Sequence, residues 1–169
     1  MKNTCLMGAV VSALCLIGCS SAPVALAPVG PNPAGSTVRA STGQLEVYSA
    51  LKECRDGNEY DPNPAWYQHT DYIVRDLDGK RIRHVGNSVG HYARRPRRIE
   101  LPPGKYLVKA EGKDGLSVTI PVLIRPGRTT RVHLDAAWHP AAAVPNSELV
   151  TAPTGYPVGW RVDLGKNGS

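Results

Sequence analysis

Residues 96–135, PRRIELPPGKYLVKAEGKDGLSVTIPVLIRPGRTTRVHLD, decide the fold. Apolar and polar side chains alternate there through four segments, which Gly and Pro turns separate. The sets that share a face are Ile99 and Leu101; Tyr106, Val108 and Ala110; Val118, Ile120, Val122 and Ile124; and Thr130, Val132 and Leu134. A period of two is that of a half-buried antiparallel strand. The stretch therefore predicts four successive strands at the centre of the fold.

Composition favours an all-β domain around that centre. The 169 residues include 17 Gly and 15 Pro, which is typical of one loop-rich β domain. There is no Phe, so Val, Leu and Ile must fill the core, which suits two thin sheets packed face to face. The net charge of +6 implies mild attraction to anionic surfaces, but Asp and Glu are interspersed, so nucleic acid is not a predicted partner.

The residues before the central stretch predict one further strand and a polar loop. Leu45, Val47 and Leu51 share one face of a strand over residues 43–51. The loop over residues 55–68 contains Asp-Gly, Asp-Pro and Asn-Pro pairs that break regular structure. It carries three aromatic residues, Tyr60, Trp66 and Tyr67.

Two hairpins complete the predicted sheets. Residues 72–85 predict a hairpin with a two-residue turn at Asp78–Gly79, because Gly adopts the positive φ that such a turn needs. After an irregular crossing segment, residues 149–150 and 158–162 predict a C-terminal hairpin that packs Trp160 against the sandwich. A disordered tail is the alternative, although the alternating valines at its return strand favour the hairpin.

The N-terminus predicts export and lipid attachment. The apolar stretch 5–18 has the length of a secretory signal core and is short for a membrane-spanning helix. It ends in LIGC, residues 16–19, which resembles the lipobox of bacterial lipoproteins. The resemblance implies cleavage between Gly18 and Cys19, with acyl chains on the Cys19 thiol that anchor the domain in a membrane. An ordinary signal peptide with an incidental Cys is the alternative.

The next residues predict a tether. Residues 19–43 are rich in Pro, Ala, Gly and Ser and almost uncharged, which is typical of an extended flexible linker. By the lipoprotein resemblance, Ser20 after the modified Cys implies the outer membrane, facing the periplasm. Cys54 is then the only free thiol of the mature chain, so no intramolecular disulfide forms, and we expect an inert, half-buried side chain rather than an intermolecular pair.

One phrase of the central stretch resembles a known family. Ile99-x-Leu101-Pro102-Pro103-Gly104-x-Tyr106, with a further strand pair behind it, is similar to the PEGA and carboxypeptidase-regulatory, transthyretin-like β-sandwich modules, over residues 43–135. The PEGA tetrad is absent, and the aromatic loop is an addition. The resemblance implies an antiparallel sandwich of about seven strands and a non-enzymatic envelope module. The predicted division is residues 1–18 signal peptide, 19–43 tether, 44–135 sandwich, and 136–169 crossing segment with C-terminal hairpin.

Three groups of side chains are candidate sites. A cationic patch for phosphates or carboxylates would comprise Arg81, Arg83, Arg94, Arg95, Arg97 and Arg98. A solvated strand face is the alternative. Trp66 and Tyr67, with Tyr60 and Tyr92, could stack on sugars or pack under their loop. His69, His84, His91, His133 and His139 have no recognised metal spacing, so no metal site is predicted.

Two function classes remain open. No nucleophile-elbow, zinc-protease, phosphate-loop or dinucleotide motif occurs, so the sequence predicts neither an enzyme nor a cofactor. A structural or protein-docking module would use sheet edges and the C-terminal hairpin and would tolerate salt. A polyanion or glycan binder would use the arginines and loop aromatics, and its affinity would fall with ionic strength. We expect the docking module.

Overall fold

The computed structural model describes residues 24–35, 39–54, 66–89 and 94–164. The signal peptide, its cleavage site at Gly18 and the lipidation site Cys19 lie outside these residues. Within them the fold is all-β, as predicted. The strands are β1 (Val24–Ala25), β2 (Val29–Gly30), β3 (Gly43–Tyr48), β4 (Leu51–Cys54), β5 (Trp66–His69), β6 (Tyr72–Arg75), β7 (Arg81–Val85), β8 (Ile99–Leu101), β9 (Gly104–Glu111), β10 (Ser117–Ile124), β11 (Thr129–His133), β12 (Leu149–Thr151) and β13 (Pro157–Arg161), with a 3₁₀ turn at Asn146–Glu148.

The four strands predicted in the central stretch are β8 to β11. Side chains at the predicted inward positions are buried, among them Val108, Ile120 and Val132, except Tyr106, which is half-buried against the core. Thr130 is also fully buried, and its hydroxyl donates to the Leu123 carbonyl at 2.7 Å. Burying each Val or Ile stabilises the fold by about 1.5–3 kcal/mol, so the alternation predicts the core as well as the strands.

Two sheets enclose this core, with a small hairpin beside them. The large sheet has the order β12-β13-β2-β10-β9-β6-β7, and β1 pairs with β10 beside β2. The second sheet has the order β11-β3-β8. Leu45 and Val47 of the second sheet belong to the same buried cluster as Val108 and Val122 of the large one. The arrangement is consistent with a β-sandwich.

The sheets are mixed rather than purely antiparallel, which corrects the predicted pairing. β3 and β11 run parallel, with Glu46 opposite Arg131 and Tyr48 opposite His133. β1 and β2 also run parallel to β10. Parallel partners are distant in sequence, since a tight turn cannot join them, so no local signal predicts them.

Part of the predicted flexible tether is structured. Val29 is fully buried, and Val24 pairs with Val118 on the edge of β10. Pro31 bridges to Thr130. Composition predicted a solvated linker, but valines between prolines bury apolar surface once a strand edge is available.

The predicted first strand is two strands. β3 ends at Tyr48, and β4 pairs with β5 in a separate hairpin. Leu51, predicted to face the core, is 42% exposed. Residues 66–68, predicted as the end of a loop, form β5 together with His69. Ser49 and Ala50 interrupt the strand, so the period of two does not continue from β3 into β4.

The hairpin of β6 and β7 is confirmed, with a longer turn than predicted. Gly79 has the expected positive φ of 83°. Its N–H donates to the Asp76 carbonyl at 3.1 Å, and the Asp76 N–H donates to the Lys80 carbonyl at 3.0 Å. This is a three-residue connection with Gly in the left-handed conformation.

The C-terminal hairpin is also confirmed, and it is part of the sandwich. Its strand β13 pairs with β2 through Trp160 and Gly30. A side chain at Gly159 would lie 2.5 Å from Val29 Cγ1 and 2.9 Å from the Arg131 carbonyl oxygen, so Gly lets β13 approach β11. No helix in the described residues is long and apolar enough to cross a membrane.

Candidate functional site

The outer face of the three-stranded sheet carries a row of polar and aromatic side chains. Leu45 and Val47 of β3 point into the core, so Glu46 and Tyr48 lie on the opposite face. On β11, Arg131 and His133 lie on that face too. The parallel register places Glu46 beside Arg131 and Tyr48 beside His133. One face of the sheet thus carries the Glu46–Arg131 ion pair and, next to it, the rings of Tyr48 and His133.

The rings of Tyr48 and His133 belong to a stack of four aromatic rings. Tyr48 and His133 are stacked, with centroids 4.4 Å apart and an interplanar angle of 18°. Trp138 stacks on His133 at 4.8 Å and 19°. Trp160 meets Trp138 edge-on at 6.1 Å. Such contacts each contribute about 0.5–1.5 kcal/mol beyond area burial, so the stack fixes both indoles.

A turn after β11 brings Trp138 back over the sheet. Ala136 has a φ of 57°, a conformation that non-Gly residues rarely adopt. The Asp135 Oδ1 accepts the Ala137 N–H at 3.2 Å, as in an Asx-turn. The turn reverses the chain so that Trp138 covers His133, and this contact offsets the strain at Ala136.

A groove of about 400 Å³ lies beside the stack. Its walls come from three parts of the chain: the segment after β2, strand β11, and the C-terminal crossing segment with β13. The lining residues are Asn32, Ala34, Thr129, Arg131, His133, Trp138, His139, Pro140, Ala141, Val144 and Trp160. Aromatic walls with a few planar polar groups are typical of recognition sites.

Glu46 anchors two arginines, of which Arg131 lines the groove. Its side chain is 9% exposed, with Arg98 Nε and Nη2 each 2.6 Å from Oε1 and Arg131 Nε 2.7 Å from Oε2. Burial alone would raise the pKa of Glu46, but hydrogen bonds and charge from Arg131 and Arg98 outweigh it and lower the pKa. The carboxylate therefore stays ionised and holds the Arg131 guanidinium in place.

His133 is a neutral ring at physiological pH. Burial, with a smaller contribution from the positive charge of Arg131, lowers the pKa of His133 to about 4. The Arg131 charge is balanced in part by Glu46. The groove therefore has aromatic and polar walls with little net charge.

A buried network supports the sheet beneath the stack. The His69 ring lies edge-on to Tyr48 at 5.6 Å, and its Nδ1 and Nε2 lie 2.7 Å and 3.1 Å from the carbonyl oxygens of Ser49 and Arg94. Asn87 donates to the Val47 carbonyl at 2.8 Å. These bonds tie the segment before β8 to the end of β3.

The structure divides the six predicted arginines. Arg83, Arg97 and Arg98 line one cleft between β7 and β8. Arg94 lies elsewhere, over the Tyr67 ring at 5.7 Å. Arg81 is exposed opposite Arg75, and Arg95 is exposed before Pro96. The predicted patch is thus one cleft of three arginines, of which Arg98 is bonded to Glu46.

The predicted stacking pair lies on β5 and does not line the groove. Tyr67 is 37% exposed and shares a shallow pocket with Leu51 and Arg94. Trp66 is half-buried opposite Cys54, a free half-buried thiol whose Sγ lies 3.8 Å from Gln68 Oε1. Tyr60, Tyr92 and His91 lie outside the described residues. Within the described residues, no three His, Cys, Asp or Glu side chains are grouped to hold a metal.

Comparisons of this chain with protein-family models, curated proteins and solved structures give no match. The lipoprotein and PEGA-like resemblances therefore stay predictions. Sequence reasoning overlooked Glu46, Tyr48 and Trp138 as site residues. Glu46 and Tyr48 could have been found from strand parity, because they flank positions that alternation places in the core. Trp138 lies in the irregular segment after β11 and has no such signal.

Proposed function

We propose that this protein is a lipid-anchored, non-catalytic module of the cell envelope that docks a protein partner in the groove beside the ring stack. The observation that carries the proposal is the stack of Tyr48, His133, Trp138 and Trp160, which positions two indoles at a groove of about 400 Å³. The lipobox-like residues 16–19 support the envelope location.

The groove has the composition of a protein-binding hot spot. Trp, Tyr and Arg are the residues that most often dominate the energy of interfaces. The stack holds Trp138 in place before a partner arrives, so binding costs little side-chain entropy. The crossing segment contributes Pro140 and Val144 as apolar walls. The partner that fits is a near-neutral segment that inserts an aliphatic or aromatic side chain.

The same charges argue against the groove as a polyanion site. Arg131 is 2.7 Å from the Glu46 carboxylate, and His133 is neutral because burial lowers its pKa to about 4. A bound polyanion would have to compete with Glu46 for the guanidinium. We therefore expect docking whose affinity changes little with salt, since apolar burial is not screened.

Retention of partners on the immobilised full chain tests the proposal. Envelope extract is passed over wild type and over Trp138→Ala and Trp160→Ala, at about 0.05 and 0.5 M NaCl. We expect a discrete protein that wild type retains at both salt concentrations and that each variant loses, since truncating a hot-spot Trp costs more than about 2 kcal/mol. Leu77→Ala, at the exposed tip of the β6–β7 hairpin, is the matched control.

Two results would contradict it. One is retention that disappears with salt and is unaffected by the Trp variants. The other is retention of sacculi or lipopolysaccharide in place of a protein, which would favour the glycan and polyanion hypothesis.

A further inference from the structure

A cleft opens where β7 and β8 diverge into the two sheets. Both Asn87 oxygens accept the Arg97 N–H, at 3.0 and 3.2 Å, and Ser88 bridges to Pro96, so the two segments touch there. Beyond this contact β7 joins the large sheet and β8 joins the three-stranded sheet. The resulting gap encloses about 360 Å³. Val85 and Ile99, which line it, are buried.

Both strands that flank this cleft are sheet edges. Within the described residues, β7 pairs only with β6, and β8 pairs only with β3. Each strand therefore has backbone N–H and C=O groups on its second side without a strand partner. Such an edge is a template for another extended chain. The cleft therefore has an edge strand on each side, β7 and β8.

Charge makes the cleft selective. Arg83, Arg97 and Arg98 line it against one carboxylate, Glu100. Arg98 is bonded to Glu46 at 2.6 Å. Among the described residues, the Arg97 side chain donates to the Ser88 carbonyl at 3.3 Å and forms no ion pair. Cations on an edge strand usually prevent pairing between like edges. The same cations attract an acidic strand, because a carboxylate can form two parallel hydrogen bonds with a guanidinium group.

The buried hydroxyl of Tyr72 is close enough to Arg83 and Arg97 to be influenced by their charge. Tyr72, on β6 opposite Val85, is 1% exposed, and its hydroxyl has no hydrogen-bond partner among the residues that the structure describes. Burial raises the pKa of Tyr72, against the opposite influence of Arg83 and Arg97. Two guanidinium groups therefore act on a buried hydroxyl of β6 that has no partner among the described residues.

We propose that this cleft is a second interaction surface, which binds an extended acidic segment of a partner protein by strand addition. The backbone of the segment pairs with an edge of β7 or β8. Carboxylates at every second position, which lie on one face of a strand, bind Arg83 and Arg97. Main-chain bonds supply affinity and the alternate side chains supply specificity.

Peptide binding to the full chain in detergent solution tests this surface. The probe is an acetylated, amidated Thr-Glu-Val-Glu-Val-Glu-Thr peptide, with fluorescence anisotropy and amide hydrogen exchange as readouts. We expect affinity to fall at least about tenfold between low and high salt, and exchange to slow in residues 81–85 or 99–101. Arg83→Gln combined with Arg97→Gln should abolish binding. Arg81→Gln, on the same strand but outside the cleft, should retain it.

Other results would overturn the proposal. They are no binding at millimolar peptide, equal binding of the same peptide with Gln for each Glu, or binding without slowed exchange at either edge. Equal binding of a peptide N-methylated at alternate amides, or of inorganic polyphosphate in competition, would indicate a simple anion site. Trp160→Ala serves to separate this surface from the docking groove, because it should leave peptide affinity unchanged.

Discussion

At the scale of single residues, His133 makes the stability of the fold depend on pH. It lies in the middle of the ring stack, 9% exposed, and burial lowers its pKa from 6.5 to about 4. The unfolded chain therefore binds a proton between these two values that the folded chain does not. By linkage, stability is fully present above pH 6.5 and falls as the pH drops toward 4.

Replacing His133 with Phe should remove this dependence. Wild type should lose up to about 3 kcal/mol of unfolding free energy between pH 6.5 and 4 through this group, whereas His133→Phe keeps a stacked ring without a titrating nitrogen. Urea unfolding at several pH values measures the difference. His84→Phe, at an exposed histidine on β7, is the control. A parallel fall of wild type and His133→Phe would contradict the neutral, buried ring.

The sequence predicts which strand residues face the core. It does not predict which residues pair with each other on the outer face of the sheet. Alternation identifies Val108 and Val132 as core residues, because burial repeats every two residues along a strand. It fails at Leu51, where the strand ends at Tyr48. It could not pair Glu46 with Arg131, since that contact depends on a parallel register between strands far apart in the chain.

At the scale of elements, the C-terminal hairpin is joined to the core at Gly159. A Cβ there would lie 2.5 Å from Val29 Cγ1, so Gly159→Ala should push β13 away from β2 and β11. We expect a loss of about 1–3 kcal/mol, as for overpacked cores, measured by urea unfolding. Gly86→Ala, where the nearest atom is 4.0 Å away, should change stability by less than about 0.5 kcal/mol. Equal stability of both variants would contradict the close packing of the hairpin.

Hairpins are predictable because their turns are local. Asp78–Gly79 and the Gly155 turn, both with Gly at positive φ, are readable from neighbouring residues alone. β1 and β2 have two residues each and show no period. They exist because β10 offers an edge, so their prediction requires the fold to be known already.

At the scale of the whole molecule, the proposed lipid anchor on Cys19 would place the groove at a membrane of the cell envelope. We expect mass spectrometry of the purified protein to find a mature chain that begins at an acylated Cys19. Cys19→Ala should abolish incorporation of labelled palmitate, because the thioether depends on that thiol. Cys54→Ala should leave incorporation unchanged. A mature chain that begins elsewhere without acyl groups would contradict the lipoprotein prediction.

A partner protein bound in the groove walled by Trp138 and Trp160 should lie within crosslinking distance of the groove's exposed residues. A photo-crosslinking amino acid at His139, an exposed residue of the groove, tests it in intact cells, with the same amino acid at Leu77, which is 55% exposed, as the control. We expect one discrete protein adduct from position 139, none from position 77, and loss of the adduct when Trp160→Ala is added. Identical adducts from both positions, or an adduct that persists with Trp160→Ala, would contradict it.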